Sequence, residues 1–265
     1  MEINKKIENE EGFVDTSRLS IEQVSRTVAK QFVEKWHYSH KLSLCQIAYG
    51  LFYDTKILSL FFNNTEIKLI GVIVYSQPAG RSAAESISDL IKVEECMELI
   101  RLVILDNYGK NIESYFISQS LKYLKKEFPH IKSIISYADG EQGHKGTIYQ
   151  ACGFYYQGNS ALALMPNFSV SLTGPPYKWI HSRTISATYG SHNVDHLKKR
   201  IGHTFWRKKE SSKHRYFCLL GNKKDRKKIL ANLKHPYLPY PKDTEYTDEI
   251  EEIKVDSSVE NPFFG

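Results

Sequence analysis

No long apolar run, no closely spaced cysteine pair and no internal repeat occurs in this chain of 265 residues. The longest apolar stretch, Leu69-Ile70-Gly71-Val72-Ile73-Val74-Tyr75, is too short to span a bilayer, so no membrane partner is expected. The four cysteines, Cys45, Cys96, Cys152 and Cys218, are scattered without zinc or redox spacing. They read as reduced, small apolar residues rather than as a disulfide framework. The start, Met1-Glu2-Ile3-Asn4-Lys5-Lys6, is charged and leads into no apolar segment, so the expectation is a cytoplasmic protein without a secretory signal.

What is present suits a folded core. Hydrophobic residues make up 41% and charged residues 25%, with 17 tyrosines, enough for one large domain or a domain with an appendage. The net charge of +6 is unevenly spread: Lys198 to Lys234 holds fourteen Lys or Arg against Glu210 and Asp225. Asp243 to Gly265 reverses this, with eight acids and one lysine. A basic block suits an anionic partner, and an acidic segment after it can compete for the same block. The simpler reading of 243–265, a disordered acidic tail, is preferred.

The pattern divides the chain into a frayed start (1–18), a core (19–166), a basic α/β extension packed on that core (167–242) and the tail. Ser20 with Glu22 and Gln23 reads as the opening of a helix that buries Val24, Val28, Phe32 and Val33 and ends near Trp36. Strands are predicted at 47–54, 57–62, 66–76, 97–105, 131–138 and 154–164. Pro78 to Arg81 reads as a turn. Asn111 is predicted to cap a helix whose apolar residues are Ile117, Leu121, Leu124 and Phe128, and Pro129 ends it. A short helix follows at 147–152. Beyond Pro166 only strand-like pieces at 177–182 and 216–220 and a basic helix at 222–234 stand out.

One local motif narrows the fold. Tyr149-Gln150-Ala151-Cys152-Gly153-Phe154 fits a Tyr-x-x-x-Gly-Phe pattern and resembles the GCN5-related acyltransferases. The resemblance implies a mixed sheet flanked by helices, with Asp106 to Asn111 where those enzymes bind a pyrophosphate. Backbone N–H groups and the dipole of a helix N-terminus hold anions there, and Gly109 permits close approach. Gly109, Lys110, Asn111 and Ser114 are therefore candidate cofactor-binding residues. Asp106, Asn111 and Glu113 depart from the usual pattern, which fits acetyl-coenzyme A poorly and leaves the donor open.

Longer stretches resemble the Mom family of phage DNA-modification proteins: Trp36-His37-Tyr38-Ser39-His40, Glu98-Leu99-Ile100-Arg101-Leu102, Ile112-Glu113-Ser114-Tyr115 and Ser136-Tyr137-Ala138-Asp139 with Ile148-Tyr149-Gln150-Ala151. Lys213-His214-Arg215-Tyr216-Phe217 and Pro239-Tyr240-Pro241-Lys242 extend the match over about 30 to 242. This resemblance implies an acyltransferase-like enzyme that adds a carbamoylmethyl group to the exocyclic amine of adenine in double-stranded DNA, protecting it from restriction. By position it puts Arg101, Ser114, Asp139 and Tyr149 in the active centre, with His37 and Tyr38 beside them.

Each residue has two readings. Arg101 orients a carboxylate or phosphate, or makes a structural ion pair with Asp139. Asp139 accepts a proton from the amine, or makes the turn before Gly140. Tyr149 donates a proton, or is a core aromatic. Ser114 bonds a phosphate, or its own helix. His37 and Tyr38 stack on or deprotonate adenine, or with Asp139 form a candidate iron set. Lys198, Lys199, Arg200, Arg207, Lys208, Lys209, Lys213 and Arg215, with Trp206, are candidate contacts to DNA, or a solvated face. The alternatives to DNA modification are a conventional acyl-coenzyme A N-acyltransferase and a non-catalytic DNA-binding protein. Oligomeric state is left open.

Overall fold

The computed structural model describes residues 12–55, 67–78, 82–140, 143–159, 167–210, 213–242 and 249–255. The strand expected at 57–62, the turn at 79–81 and the end of the strand beyond 159 lie outside them. In chain order the first elements are β1 (Leu19–Gln23), α1 (Arg26–Trp36), β2 (Ile47–Asp54), β3 (Ile67–Ser76), α2 (Ser82–Glu85), β4 (Cys96–Ile104), α3 (Ile112–Glu127) and β5 (Ser133–Asp139). Then come α4 (Thr147–Ala151), β6 (Tyr155–Asn159), β7 (Phe168–Ser171), α5 (Ser182–Tyr189) and α6 (Val194–Ile201). The last are β8 (Phe205–Lys209), β9 (Lys213–Leu219), α7 (Lys223–Leu230) and β10 (Ile250–Ile253). They form two compact units: described residues of 12–138, 146–158 and 214–240 make the first, and those of 139–145, 159–213 and 241–255 the second.

The first unit is built on a seven-stranded mixed sheet in the order β1-β2-β3-β4-β5-β9-β6. The mixed α/β architecture expected from the sequence is present. β1 to β4 run antiparallel to their neighbours, and β4 and β5 are parallel. β3 is apolar almost throughout because both of its faces are covered. On one face Val72 and Val74 pack with Ala29, Phe32 and Val33 of α1. On the other Ile73 and Tyr75 pack with Phe116, Ile117 and Leu124 of α3. Each such fully buried side chain contributes roughly 2 kcal/mol. Ser120 is buried in the apolar face of α3 because its hydroxyl is 2.7 Å from that of Tyr75 and donates to Ile117 O.

Three sequence expectations change. The helix does not open at Ser20: Leu19 and Ile21 alternate with polar residues, the period of a strand, and pair with β2 as β1. The cap is Ser25, whose hydroxyl accepts from Val28 N. The core is not confined to 19–166, since β9 inserts between β5 and β6 and α7 buries Ile229 against Phe217 and Leu219. The tail is not disordered throughout, because β10 forms within it.

The second unit holds a three-stranded antiparallel sheet, β10-β8-β7. Val170, Phe205 and Ile253 from its strands pack with Ile185 of α5 and Leu197 of α6. These two helices, in a region the sequence left irregular, are held by local caps: Asn193 Oδ1 accepts from Asp195 N and His196 N to start α6. Glu210, an acid interrupting the basic block, accepts from Ser169 Oγ and from Ser182 N and Oγ, fastening the end of β8 to the start of α5.

His214 on β9 is buried, its Nδ1 2.9 Å from the Tyr156 hydroxyl, and burial pushes its pKa below 6.5. The unfolded chain protonates this ring at a higher pH than the folded one. The stability it contributes is therefore complete above about pH 6.5 and is lost as pH falls through the depressed folded value. Thermal unfolding followed by circular dichroism from about pH 7 to pH 5 should show a falling Tm, and His214→Gln should flatten that fall. Equal slopes in both proteins would show that other groups carry the acid sensitivity.

Candidate active site

β4 and β5 pair only over Cys96–Leu99 and Ser133–Ser136, yet β4 runs on to Ile104 and β5 to Asp139. Beyond that last pair β4 keeps its ladder with β3 alone on the side of the antiparallel strands. Backbone groups released where two strands part need other partners, and a ligand can supply them. The Ser136 hydroxyl donates to Leu99 O (3.2 Å) at the apex of the gap.

Tyr149 of α4 stands at that apex. Its ring lies 5.5 Å from Phe154 and 5.4 Å from Tyr216, with only 7% of the residue exposed. Burial pushes its pKa up to about 12; a hydrogen bond with Ser136 offsets part of the rise, and Tyr38 and Glu98 add to it. The phenol therefore keeps its proton at neutral pH, as a proton donor must. Gln150 Nε2 donates to Tyr216 OH (3.0 Å), holding the rings beneath it.

β4 also carries a bulge. Leu99 pairs with Tyr75 and Arg101 with Val74, so Ile100 is the extra residue. Without it Arg101 would point with Leu99 into the tyrosine-rich core. With it, Arg101 shares the opposite face of β4 with Glu98, the partner of Ser76. Arg101 Nε donates to Lys41 O (3.1 Å) and its Nη1 to Ile100 O (2.6 Å). Arg101 thus fastens the segment after α1 to the sheet. That segment carries His37, the C-cap of α1, and Tyr38, their rings 4.2 Å apart and Tyr38 56% exposed.

The candidate iron ligands His37, Tyr38 and Asp139 all lie among the described residues. His37 Nδ1 accepts from Ser39 N and lies 2.8 Å from the Ser39 hydroxyl. His37 and Tyr38 belong to the first unit and Asp139 to the second. Among the described residues no three His, Cys, Asp or Glu side chains gather as a metal site. Asp139 lies with Oδ2 3.6 Å from Lys213 Nζ.

The turn before α3 packs against residues 12–14. Asn111 precedes α3 in a left-handed conformation and makes no side-chain cap. Gly109, at φ 100°, is approached by the protein's own chain: a Cβ there would lie 2.6 Å from Val14 N. Lys110 N donates to Gly12 O, and Val14 N donates to Lys110 O. The close approach that Gly109 allows is therefore made by residues 12–14. Ser114 Oγ donates to Asn111 O, the bond to its own helix.

The basic candidates divide between the units. Lys198, Lys199 and Arg200 are exposed in the last turn of α6, where the helix dipole favours cations. On β8, Arg207 lies 4.2 Å over Phe168 and Lys208 5.3 Å over Trp179, while Lys209 is exposed. Tyr177 stacks on Trp179 and lies 6.2 Å from Trp206. Arg215 stands apart: it belongs to the first unit, where its Nη2 donates to Ala83 O and its Nε is buried. Sequence reasoning passed over Glu98 and Ser136. Their signal was polarity inside strands, an acid between Met97 and Leu99 and a serine after Ile134-Ile135, and Arg101 drew attention away from both.

Among the described residues no helix is long and apolar enough to cross a membrane. The model of the Mom protein family matches residues 18–242. A curated relative, the methylcarbamoylase Mom of Escherichia phage Mu, is 25% identical over 233 residues, covering 86% of this chain and 85% of that protein. Solved structures that match include a spermidine/spermine N-acetyltransferase of Vibrio cholerae in complex with manganese ions, 11% identical, with a TM-score of 0.40 over 80% of this chain and 98% of that one. A dodecameric spermidine N-acetyltransferase of the same organism matches at 11% identity and a TM-score of 0.41, over 77% and 95%.

Gly109→Ala tests the seat of residues 12–14. A positive φ and a contact with backbone at 2.6 Å should together lower the unfolding free energy by about 2 kcal/mol in urea denaturation. A loss under about 0.5 kcal/mol would show that this contact is not part of the stable fold.

Proposed function

The chain belongs to the Mom protein family, and on that footing we propose that it is a transferase that adds a carbamoylmethyl-type group to the exocyclic amine of adenine in double-stranded DNA, shielding the DNA from restriction. The observation that carries this reading is the buried phenol of Tyr149 at the point where β4 and β5 part, its pKa raised by burial, with Tyr38 exposed on the segment that Arg101 fastens to β4. A donor group in the gap meets a proton source on one side, and a base presented beside it meets an aromatic surface. His37 and Tyr38 offer adenine a stacking face.

The amine of adenine is a weak nucleophile because its lone pair is shared with the ring. Catalysis then depends on positioning and on proton removal as the new C–N bond forms. Tyr149 gives its proton to the leaving group. Asp139 and Glu98 are the candidate acceptors of the amine proton. Reaching that amine in a duplex requires the base to leave the stack. Lys198, Lys199, Arg200, Arg207, Lys208, Lys209 and Lys213 supply the charge that holds the phosphate backbone. The donor is left open, and the turn that would take a pyrophosphate fits acetyl-coenzyme A poorly: it carries Asp106 and Glu113, and Lys110 N donates to Gly12 O.

Mass spectrometry of nucleosides from plasmid DNA of expressing cells tests the reading. The natural chain should yield a new adenosine species, and Tyr149→Phe should cut its rate of formation by about a hundredfold or more. Asp139→Ala should do the same if Asp139 is the acceptor, and Glu98→Gln if Glu98 is. Unmodified nucleosides from cells holding folded natural protein would overturn it.

A further inference from the structure

The basic strand of the second unit is already occupied, by acid. β10 lies antiparallel along β8, with Ile250 opposite Lys208, Glu251 opposite Arg207, Glu252 opposite Trp206 and Ile253 opposite Phe205. Glu251 Oε2 accepts from Arg207 Nε at 2.6 Å, a charge-assisted bond of the kind a phosphate oxygen accepts. Glu252 shares a face of the sheet with Trp206 and stands diagonally from Lys208, within reach of a long side chain. Glu249, Glu251 and Glu252 are all exposed, so their charge is presented outward along the strand. Ile253 anchors the segment by packing with Phe205 and Val170. This acidic strand lies beyond residues 18–242, the part matched by the family.

We propose that β10 is an intramolecular stand-in for nucleic-acid phosphate, its carboxylates holding Arg207 and screening Lys208 until the backbone of bound DNA displaces that charge contact. The inference rests on the reading of DNA as the substrate. It adds that the chain sets its own affinity, because DNA must compete with a tethered anion. The competition is between surface charges, so it weakens as salt rises.

Binding of the full-length protein to a short fluorescent DNA duplex, measured by anisotropy over a salt series, tests it. Glu251→Gln with Glu252→Gln keeps Ile253 and the strand pairing while removing the charge; thermal unfolding checks that the fold is unchanged. This double variant should bind roughly three- to tenfold more tightly at low salt, with a steeper salt dependence. Arg207→Gln should cost less than about twofold in the natural chain, where it also removes the contact to Glu251 that DNA has to break, and about fivefold or more in the double variant, where no such contact offsets the loss. Glu22→Gln with Glu94→Gln changes the net charge equally on the first unit and should shift affinity less than about twofold. Equal binding by the natural chain and the double variant overturns the proposal, as does an equal gain in the Glu22/Glu94 control. Absence of DNA binding in every version overturns instead the reading of DNA as substrate, and this inference with it.

Discussion

Two neighbouring strands cannot stay fully hydrogen-bonded and also admit a ligand between them. In the first unit β4 and β5 part beyond Leu99 and Ser136, the last of their paired residues. The chain can tolerate the break because the rest of the sheet is overdetermined: β3 is sealed on both faces and β4 retains its ladder to β3. The bulge at Ile100 belongs to the same solution. It turns the following residues over, so that a guanidinium that would have pointed into a tyrosine-rich core emerges on the opposite face and fastens a loop by its backbone. Tyr149 draws its character from the same place, since the rings that exclude water from it also make it a reluctant acid.

The second unit solves a different problem, how to concentrate positive charge on a small sheet without losing its core. Aromatic side chains cover the stems of the cations: Phe168 lies under Arg207 and Trp179 under Lys208. One acid, Glu210, is kept inside as a hydrogen-bond hub, satisfied by Ser169 and Ser182 rather than by a lysine. Helix ends take part as well, with Lys198, Lys199 and Arg200 placed at the negative end of α6.

Much of the first unit was legible because its strands are strongly patterned and its long helix repeats at helical spacing. β2 to β5, α3 and α4 are where the sequence suggested. The errors have physical sources. Ser20 and Ser25 are both good capping residues, and the period-two alternation of Leu19 and Ile21 decides between them only once β2 is there to pair with. α5 is short and carries few apolar residues; in α6 Val194, Leu197 and Ile201 do fall at helical spacing, but over only two turns inside a run of basic residues, a signal too brief to stand out. Gly109 was rightly read as permitting a close approach, but sequence alone does not say whether a ligand or the chain itself comes near. Tyr149, buried where β4 and β5 part, was singled out through its motif. Glu98 and Ser136 were not, because a polar residue in an apolar strand acquires meaning only where the neighbouring strand departs.

The position of β9 has a consequence for how the protein is made. The chain completes β6 at Asn159, builds four described elements of another unit (β7, α5, α6 and β8), and returns at Lys213 to supply the strand between β5 and β6. As the polypeptide leaves the ribosome, β5 is therefore without its neighbour on that side while some fifty further residues are translated. An open strand edge is a template for pairing with other chains. The nascent protein must cross an interval in which its largest sheet is incomplete, and expression at high concentration, rather than the stability of the finished fold, is where it is most vulnerable to aggregation.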